Sequence, residues 1–598
     1  SEKYVCVRES GESGNSVAIV DLNNIHNMVR RPMSADSAIM NPEENILALK
    51  LQRQLQVFNL ETKAKLKSHM SPQDVIYWRW ISATVLGIVT TSSVYHWSIE
   101  DDAAPQKVFD RHASLADTQI INYRASADGK WMVLIGISSN TVDANAFRIK
   151  GSMQLYSKER GVSQPIDGHA AAFAELKTQD ANVPYKLFTF AVRTSTGAKL
   201  HIVEIDHAPE NPAFSKKTVD VFFPDEATND FPVAMQVSKR YGIVYLMTKY
   251  GFIHLYDLET GACIYMNRVS GETVFVAAEQ KSSNGIIAVN RRGQVLSVSV
   301  DADTIIPYIL RTLNNTDLAF KLASRGNLPG ADEMYLQQFH SLFSTGQYTE
   351  AIKIAANSPR GILRTPQMIE QLKQVPSQPG TLSPILQYFG MLLESGSLNQ
   401  HESLELSKPV LAQGRKHLLE KWLKENKIEC SEELGDIVRM QDMSLALSVY
   451  LRANVPNKVV ACFAETGQFN KIVLYSKKVG YTPDYATLLR HIVRVNPEQG
   501  AEFASSLVSD EDGPLVDVER VADIFLSQNL VQQATSFLLD ALKDDLPEHA
   551  NLQTRLLEAN LLNAPQVADA ILGNQMFTHY DRPRIASLCE KAGLMQRA

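Results

Sequence analysis

Over roughly the first 300 residues, apolar and polar positions alternate with period two in short runs rich in Val, Ile, Tyr and Phe, the mark of half-buried strands. Beyond that point the apolar spacing lengthens to i, i+3, i+4 and i+7, which belongs to amphipathic helices. In the strand-rich region a single unit recurs, a strand, a polar or glycine turn and a further strand. It can be read in "YVCVRESGESGNSVAIVDL", "NILALKLQRQLQVFNL", "TVLGIVTTSSVYHWSI", "LFTFAVRTSTGAKLHIVEI", "YGIVYLMTKYGFIHLYDL" and "NGIIAVNRRGQVLSVSV", with "WMVLIGISS" and "GSMQLYS" as a further copy. About seven copies at intervals of roughly 40 to 60 residues predict a seven-bladed β-propeller over residues 1–300. A lone hairpin cannot cover both of its faces, whereas blades stacked radially cover one another and leave only short edges.

In the helical region, "TPDYATLLRHIVRV" predicts a helix with Thr482 as N-cap, Pro483 in the first turn and Tyr485, Leu488, Leu489 and Ile492 in one stripe. Another signature is an apolar helix that ends in small residue and glycine and restarts on a bulky residue: "FHSLFSTGQY", "YFGMLLESGSL", "VVACFAETGQF" and "IASLCEKAGLM". Gly346, Gly396, Gly467 and Gly593 are predicted to take the left-handed conformation that lets one helix stop and the next fold back. Helical hairpins that bury a face only against their neighbours form an α-solenoid. The expected order is therefore a propeller over 1–300, a helical linker over 301–365 and α-solenoid repeats over 366–598, with a loop at "VPSQPGTLSP", residues 375–384.

One hairpin has an unusual face. In "LALKLQRQLQVFNLETKAK", residues 47–65, Leu55 and Val57 share one strand face while Gln54, Gln56 and Phe58 share the other, which is mostly polar yet carries a ring. Lys63 and Lys65 follow closely. A groove between blades would use such a face to hold an extended peptide, with apolar floor, backbone-binding amides and lysines for acidic residues. The simpler account has Phe58 packed between blades, the glutamines solvated and the lysines on a turn.

With 598 residues the chain exceeds what one core serves, and 44% apolar with 21% charged residues is a globular balance. A net charge of −7 with no basic block argues against nucleic acid. The five cysteines are scattered without a C-x-x-C pair, no apolar run nears the ~20 residues of a membrane span, and "SEKYVCVRES" lacks a signal-peptide core, all of which point to a reducing, cytosolic setting. The start without Met and the stop at "EKAGLMQRA" read as a piece of a longer chain.

Catalytic signatures are missing: no phosphate loop, dinucleotide fingerprint, nucleophile elbow or H-E-x-x-H. "RTSTGAKLHI" has the wrong Gly and Lys spacing and reads as a hairpin turn. His69, His96, His112, His169, His201 and His254 stand singly, and Cys462 and Cys589 occupy nearby positions in two copies of the helical signature, as core residues do. The expectation is a non-enzymatic protein without cofactor or metal; a propeller enzyme would need titratable groups converging in the channel.

"RRPMSADSAIMNP", "FDRHASLADTQIINYR", "NDFPVAMQVS", "KYGFIHLYDLETGACIYMNRVSGETVF", "ESLELSKPVLAQGRKHLLEKWLKENKIECSEELGD", "LSVYLRANVPNKVV" and "VADAILGNQMFTHYD" resemble the clathrin heavy chain family, in order and over essentially the whole sequence. The resemblance implies a vesicle coat protein whose propeller captures adaptors and whose helical leg builds a lattice on the cytoplasmic face of coated pits and vesicles. Its implied partners are adaptors with linear motifs, other heavy chains and, through segments beyond residue 598, the light chain, with membranes reached only through adaptors. In that family a groove between the first two blades binds the "clathrin box", L-Φ-x-Φ-[DE], and the matching positions are Val29, Arg31, Leu47, Gln54, Gln56, Phe58, Lys63 and Lys65. Phe58, Leu47 and Val29 would form apolar pockets, and Lys63, Lys65 and Arg31 would meet the acidic end; Gln54 replaces a smaller polar residue and narrows its pocket. Gln119 and Ile121 correspond to a central W-box site, with Trp131 near blade packing, and Arg160 and Gln164 to a groove between blades four and five. The family's strand preceding this start is absent, which bears on an aromatic wall of the central site and on closure of the last blade onto the first. "SSNTVDANAFRIKGSMQLYS" is longer than the family's usual loop, which bears on access near Arg160. A nuclear pore or coatomer-type scaffold is the rival with the same architecture.

Overall fold

The computed structural model describes residues 1–12, 14–139, 149–377 and 379–598. Among the described residues, the strands from Tyr4 to Val298 form seven antiparallel sheets, three-stranded at both ends of the series and four-stranded between. We number them blades 1 to 7 in chain order. From blade 3 onward the first strands are neighbours in space, Val75–Trp80 beside Gln119–Ala125, then Ala170–Leu176, Pro232–Val237 and Val274–Gln280, so the sheets are arranged radially. This is a seven-bladed β-propeller followed by helices. "RTSTGAKLHI" is the two-residue hairpin turn expected, with Thr194 opposite Gly197.

Successive blades are joined by apolar faces. Leu55 and Val57 of blade 2 pack with Trp78, Trp80 and Trp97 of blade 3, so the even-numbered residues of the strand Gln54–Asn59 face blade 1. Across the channel, Arg124 of blade 4 donates to the carbonyls of Ala171 in blade 5 (3.2 Å) and Met235 in blade 6 and to Gln236 Oε1 (2.8 Å). Burial lowers its pKa, yet the guanidinium keeps acceptors on two neighbouring blades. At the ring's junction, Ser282 N and Oγ of blade 7 donate to Glu2 at 3.0 and 2.8 Å, and Lys281 Nζ meets Glu43 Oε1 at 2.5 Å. The last blade is thus tied to the segments before and within the first two.

The chain divides into two compact units, Ser1–Arg364 and Thr365–Ala598. The first therefore holds the helices Ile305–Arg311, Thr316–Gly326, Asp332–Ser344 and Tyr348–Ala356 together with the blades. Arg325 anchors the second of these helices: it donates to Asp257, to Glu259 at 2.7 Å and, through Nε, to the Tyr241 carbonyl at 2.9 Å, with its side chain only 8% exposed. Gly242 (φ 61°) leaves room for this, since a Cβ there would stand 2.7 Å from Arg325 Nε. Burial, only partly offset by Arg325, raises the Glu259 carboxyl.

In the second unit, consecutive helices pack as pairs, and alternate ones such as Tyr485–Val495 and Val518–Ser527 also touch, which is solenoid stacking. Cys462 and Cys589 are fully buried there, and burial pushes both thiols up. Two expectations fail. The helix over Tyr485–Val495 is capped by Asp484, which accepts from Thr487 N and Oγ1, so Thr482 and Pro483 lie outside it. Gly346, Gly467 and Gly593 are left-handed, but Gly396 is extended (φ 179°): the chain runs straight on and Leu398 N donates to Lys427 O. No helix covers the described residues of 375–383; the next begins at Pro384.

Candidate functional site

Register decides which side chains line the gap between blades 1 and 2. Leu47 stands opposite Phe58, Leu49 opposite Gln56 and Leu51 opposite Gln54, so these six share the face toward blade 1. On the facing side, Val29 pairs with Ile19 and Arg31 with Val17. Val17, Ile19 and Leu47 form one buried cluster, against which Met40 and Leu49 pack. Above it Phe58 is half-buried and Val29 is 40% exposed. The gap therefore has an apolar base and an accessible ring.

Two members of the expected set are placed differently. Leu47 has no exposed surface, so it backs Phe58 and does not itself form an open pocket wall. Arg31, expected beside the lysines, stands in the row of Arg8 and Val17. Arg8 donates to the Asp36 carbonyl, and Asp36 Oδ2 accepts from Gln52 N, which puts that row toward the turn at 52–53, the end of the hairpin opposite Lys63. Arg31 Nε is buried without a hydrogen-bond partner.

The lysines owe their placement to irregular backbone. Asn59 Oδ1 accepts from Glu61 N (2.9 Å) and Thr62 N (3.0 Å), an Asx turn that ends on Lys63 in the left-handed region (φ 56°). In the outer strand Ala64–Met70, Val57 is paired with Lys67 and Phe58 with Lys65, so Leu66 is an extra residue, a β-bulge. The bulge returns Lys65 to the Phe58 side. Lys67 goes to the other face, where Nζ donates to the carbonyls of Ser98 and Ala103 of blade 3 (both 2.8 Å) and lies over Trp97. Among the described residues, Lys63, Lys65 and Arg31 form no ion pair with an acidic side chain. The site thus combines a half-buried aromatic surface, two solvated amides and cations left uncompensated.

Other gaps are bolted. Lys67 closes the one between blades 2 and 3; Gln154 bonds to Asp110 O and His112 N (both 2.8 Å) while Phe109 stacks on Tyr156 between blades 3 and 4; Tyr256 OH reaches Asp220 O between 5 and 6. Between blades 4 and 5 the outer edge is freer. Arg160 and Gln164 are exposed, and the Arg160 guanidinium lies 5.9 Å from the Trp131 ring centre, whose Nε1 donates to Asp206 at 2.7 Å. Trp131 therefore belongs beside Arg160, an association that no spacing along the chain signals. On the blade 5 side Phe188, Phe190 and His201 form a stack, with Phe188 and Phe190 in the same apolar cluster as Trp131, marked only by the alternation in "LFTFAV". Gln119 is exposed at the start of its strand, whereas Ile121 is the extra residue of a bulge and packs against the Val133 and Ile135 cluster. Residues 140–148 of the long segment "SSNTVDANAFRIKGSMQLYS" lie outside the described residues.

The family model described as clathrin propeller repeat matches residues 224–259 and 267–301, on blades 6 and 7. Those described as clathrin heavy-chain linker, Clathrin-H-link and region in clathrin and VPS match 303–325, 327–392 and 511–598. The sequence is 60% identical over 600 residues to "Clathrin heavy chain" of Drosophila melanogaster, covering 100% of this chain and 35% of that one. The chain belongs to the clathrin heavy chain family. "Probable clathrin heavy chain" of Schizosaccharomyces pombe is 57% identical over 598 residues and "Clathrin heavy chain 2" of Homo sapiens 56% over 599, with 100% of this chain and 35% and 36% of theirs covered. The chain spans about a third of the length of the curated relatives it matches. These relatives are clathrin heavy chains and not nuclear pore or coatomer subunits.

Proposed function

We propose that this chain is a non-enzymatic part of a cytoplasmic vesicle coat, in which the propeller captures adaptors and the helical unit contributes to the lattice. The blade 1–2 groove is the principal capture site, taking short peptides of the form L-Φ-x-Φ-[DE]. Arg160 and Gln164, with Trp131, serve as another groove, and Gln119 and Ile121 as part of a central one. The observation that carries this reading is the pairing of a half-buried Phe58 with cations that lack acidic partners within the protein. An acidic, apolar, extended segment supplies what both are missing. Gln54 and Gln56 then hold its backbone, and Lys63 and Lys65 its acidic end.

A peptide of about five residues buries little surface and must be ordered, so each contact is weak, with a Kd of roughly 10 µM to 1 mM. Several motifs on one adaptor engaging several propellers raise the avidity about 10²- to 10⁴-fold, so capture follows clustering and release stays easy. The test is a fluorescence titration of a Leu-Leu-Asp-Leu-Glu peptide against the wild type and the Gln56→Met, Lys63→Glu, Lys65→Glu triple variant. Loss of most binding with an unchanged circular dichroism spectrum is expected; equal binding by the two proteins rejects the site.

A further inference from the structure

The groove does not end at Gln54. The row Leu51, Gln54 and Met70 crosses three adjacent strands of blade 2 at the turn of residues 52–53, and register puts all three side chains on the groove face. Two of them are large, apolar and open to solvent, Leu51 at 42% and Met70 at 64%. Directly opposed side chains on adjacent strands lie about 5 Å apart at Cβ, so the pair flanks the Gln54 stem as one apolar ledge. The residue next to Met70, His69, faces the other way and packs on Trp97 of blade 3, which confirms the orientation. On the opposing wall, Arg31 Nε is buried with no acceptor.

Resting on the reading of this groove as a peptide site, we infer that the ledge is an additional apolar subsite, and that it takes a bulky apolar residue immediately preceding the five-residue motif. Gln54 and Phe58 are four residues apart along one strand, about 13 Å at 3.3 Å per residue. A bound peptide in extended form matches that distance with residues i and i+4, whose side chains project to the same side. The motif's last apolar residue sits on Phe58, because the acidic residue that follows it must reach Lys63 and Lys65 at that end. Counting back four positions leads to the residue just before the leading Leu. The favoured ligand is thus Φ-L-Φ-x-Φ-[DE], an adaptor segment with apolar anchors at both ends of the groove and its charge at one.

Two peptides, Phe-Leu-Leu-Asp-Leu-Glu and Ser-Leu-Leu-Asp-Leu-Glu, titrated against the whole chain by fluorescence anisotropy, test this. Both replaced residues are exposed, so a Leu51→Ser, Met70→Ser double variant keeps the blade's core. For the wild type the Phe peptide is expected to bind about tenfold tighter than the Ser peptide. In the double variant that preference should fall to about twofold or less, while the Ser peptide binds as it does to the wild type. Binding of both peptides to the wild type without preference, or a preference that survives in the double variant, overturns the subsite and leaves the groove standing. Failure of both peptides to bind the wild type is a different result: it removes the groove reading and the subsite with it.

Discussion

Phe58 and Lys65 face each other across a β-bulge whose extra residue is Leu66. Had the pairing stayed regular, with Leu66 opposite Phe58, alternation would have put Lys65 with Lys67 on the side of blade 3. The two lysines, similar on paper, lie on opposite faces of the blade.

Exchanging them separates binding from stability. Lys65→Glu should weaken the Leu-Leu-Asp-Leu-Glu peptide at least about tenfold at low salt without shifting the unfolding midpoint, because the side chain has no acidic partner inside the protein. Lys67→Met should leave peptide affinity intact and cost about 1–3 kcal/mol of propeller stability, since its side chain is 8% exposed and its ammonium satisfies two carbonyls of blade 3. Paired titrations and urea curves read both outcomes.

Arg325 neutralises two carboxylates, and Asp257 has no exposed surface. Arg325→Met leaves them facing each other, and removing one partner of a buried ion pair typically costs about 3–5 kcal/mol. We expect a loss of that order in denaturant unfolding of the first unit, with faster hydrogen exchange confined at first to Thr316–Gly326. Unaltered exchange in that helix would show that apolar packing alone holds it.

Acid should loosen the blade 4 to blade 5 contact in a defined window. Burial alone would raise the Asp128 carboxyl, but bonds from Lys186 at 2.7 Å, Ser126 Oγ and the Lys130 N–H outweigh it and hold the pKa at about 2. An unfolded Asp titrates near ~3.9, so the unfolded chain binds the proton first, and the contribution is complete above about pH 4 and lost as pH falls through about 2. Asp128→Asn should flatten the fall in urea midpoint over that range; an unchanged slope would assign the acid sensitivity elsewhere.

Gly396 and Gly467 end helices in look-alike sequences but should respond oppositely to alanine. Gly396 is extended, and a Cβ added there would meet nothing within 4 Å, so Gly396→Ala is expected to be neutral or to stabilise by about 0.4–1 kcal/mol. Gly467 is left-handed (φ 71°), and Gly467→Ala should cost about 1–2 kcal/mol. Thermal unfolding of the two variants distinguishes the pair.

Much of the architecture was legible in the chain because its causes are local. Period two over Gln54–Asn59 follows from burying Leu55 and Val57 while leaving the alternate residues half-buried, and period 3.6 over Tyr485–Val495 from burying Tyr485, Leu489 and Ile492. The seven hairpins and the stacked helices are repetitions of those two rules. The site was legible only in outline. Nothing in "LALKLQRQLQVFNLETKAKLKSHM" says that Leu47 is sealed beneath Phe58, that Arg31 stands with Arg8, or that a bulge divides Lys65 from Lys67. Those outcomes depend on strand register and on which blade covers which face, and both are fixed by residues distant in sequence: Val17 and Ile19 on one side, Trp78, Trp80 and Trp97 on the other. Alternation sets which residues can share a face; only packing against the neighbouring blades settles which of those faces is buried and which is left for a ligand.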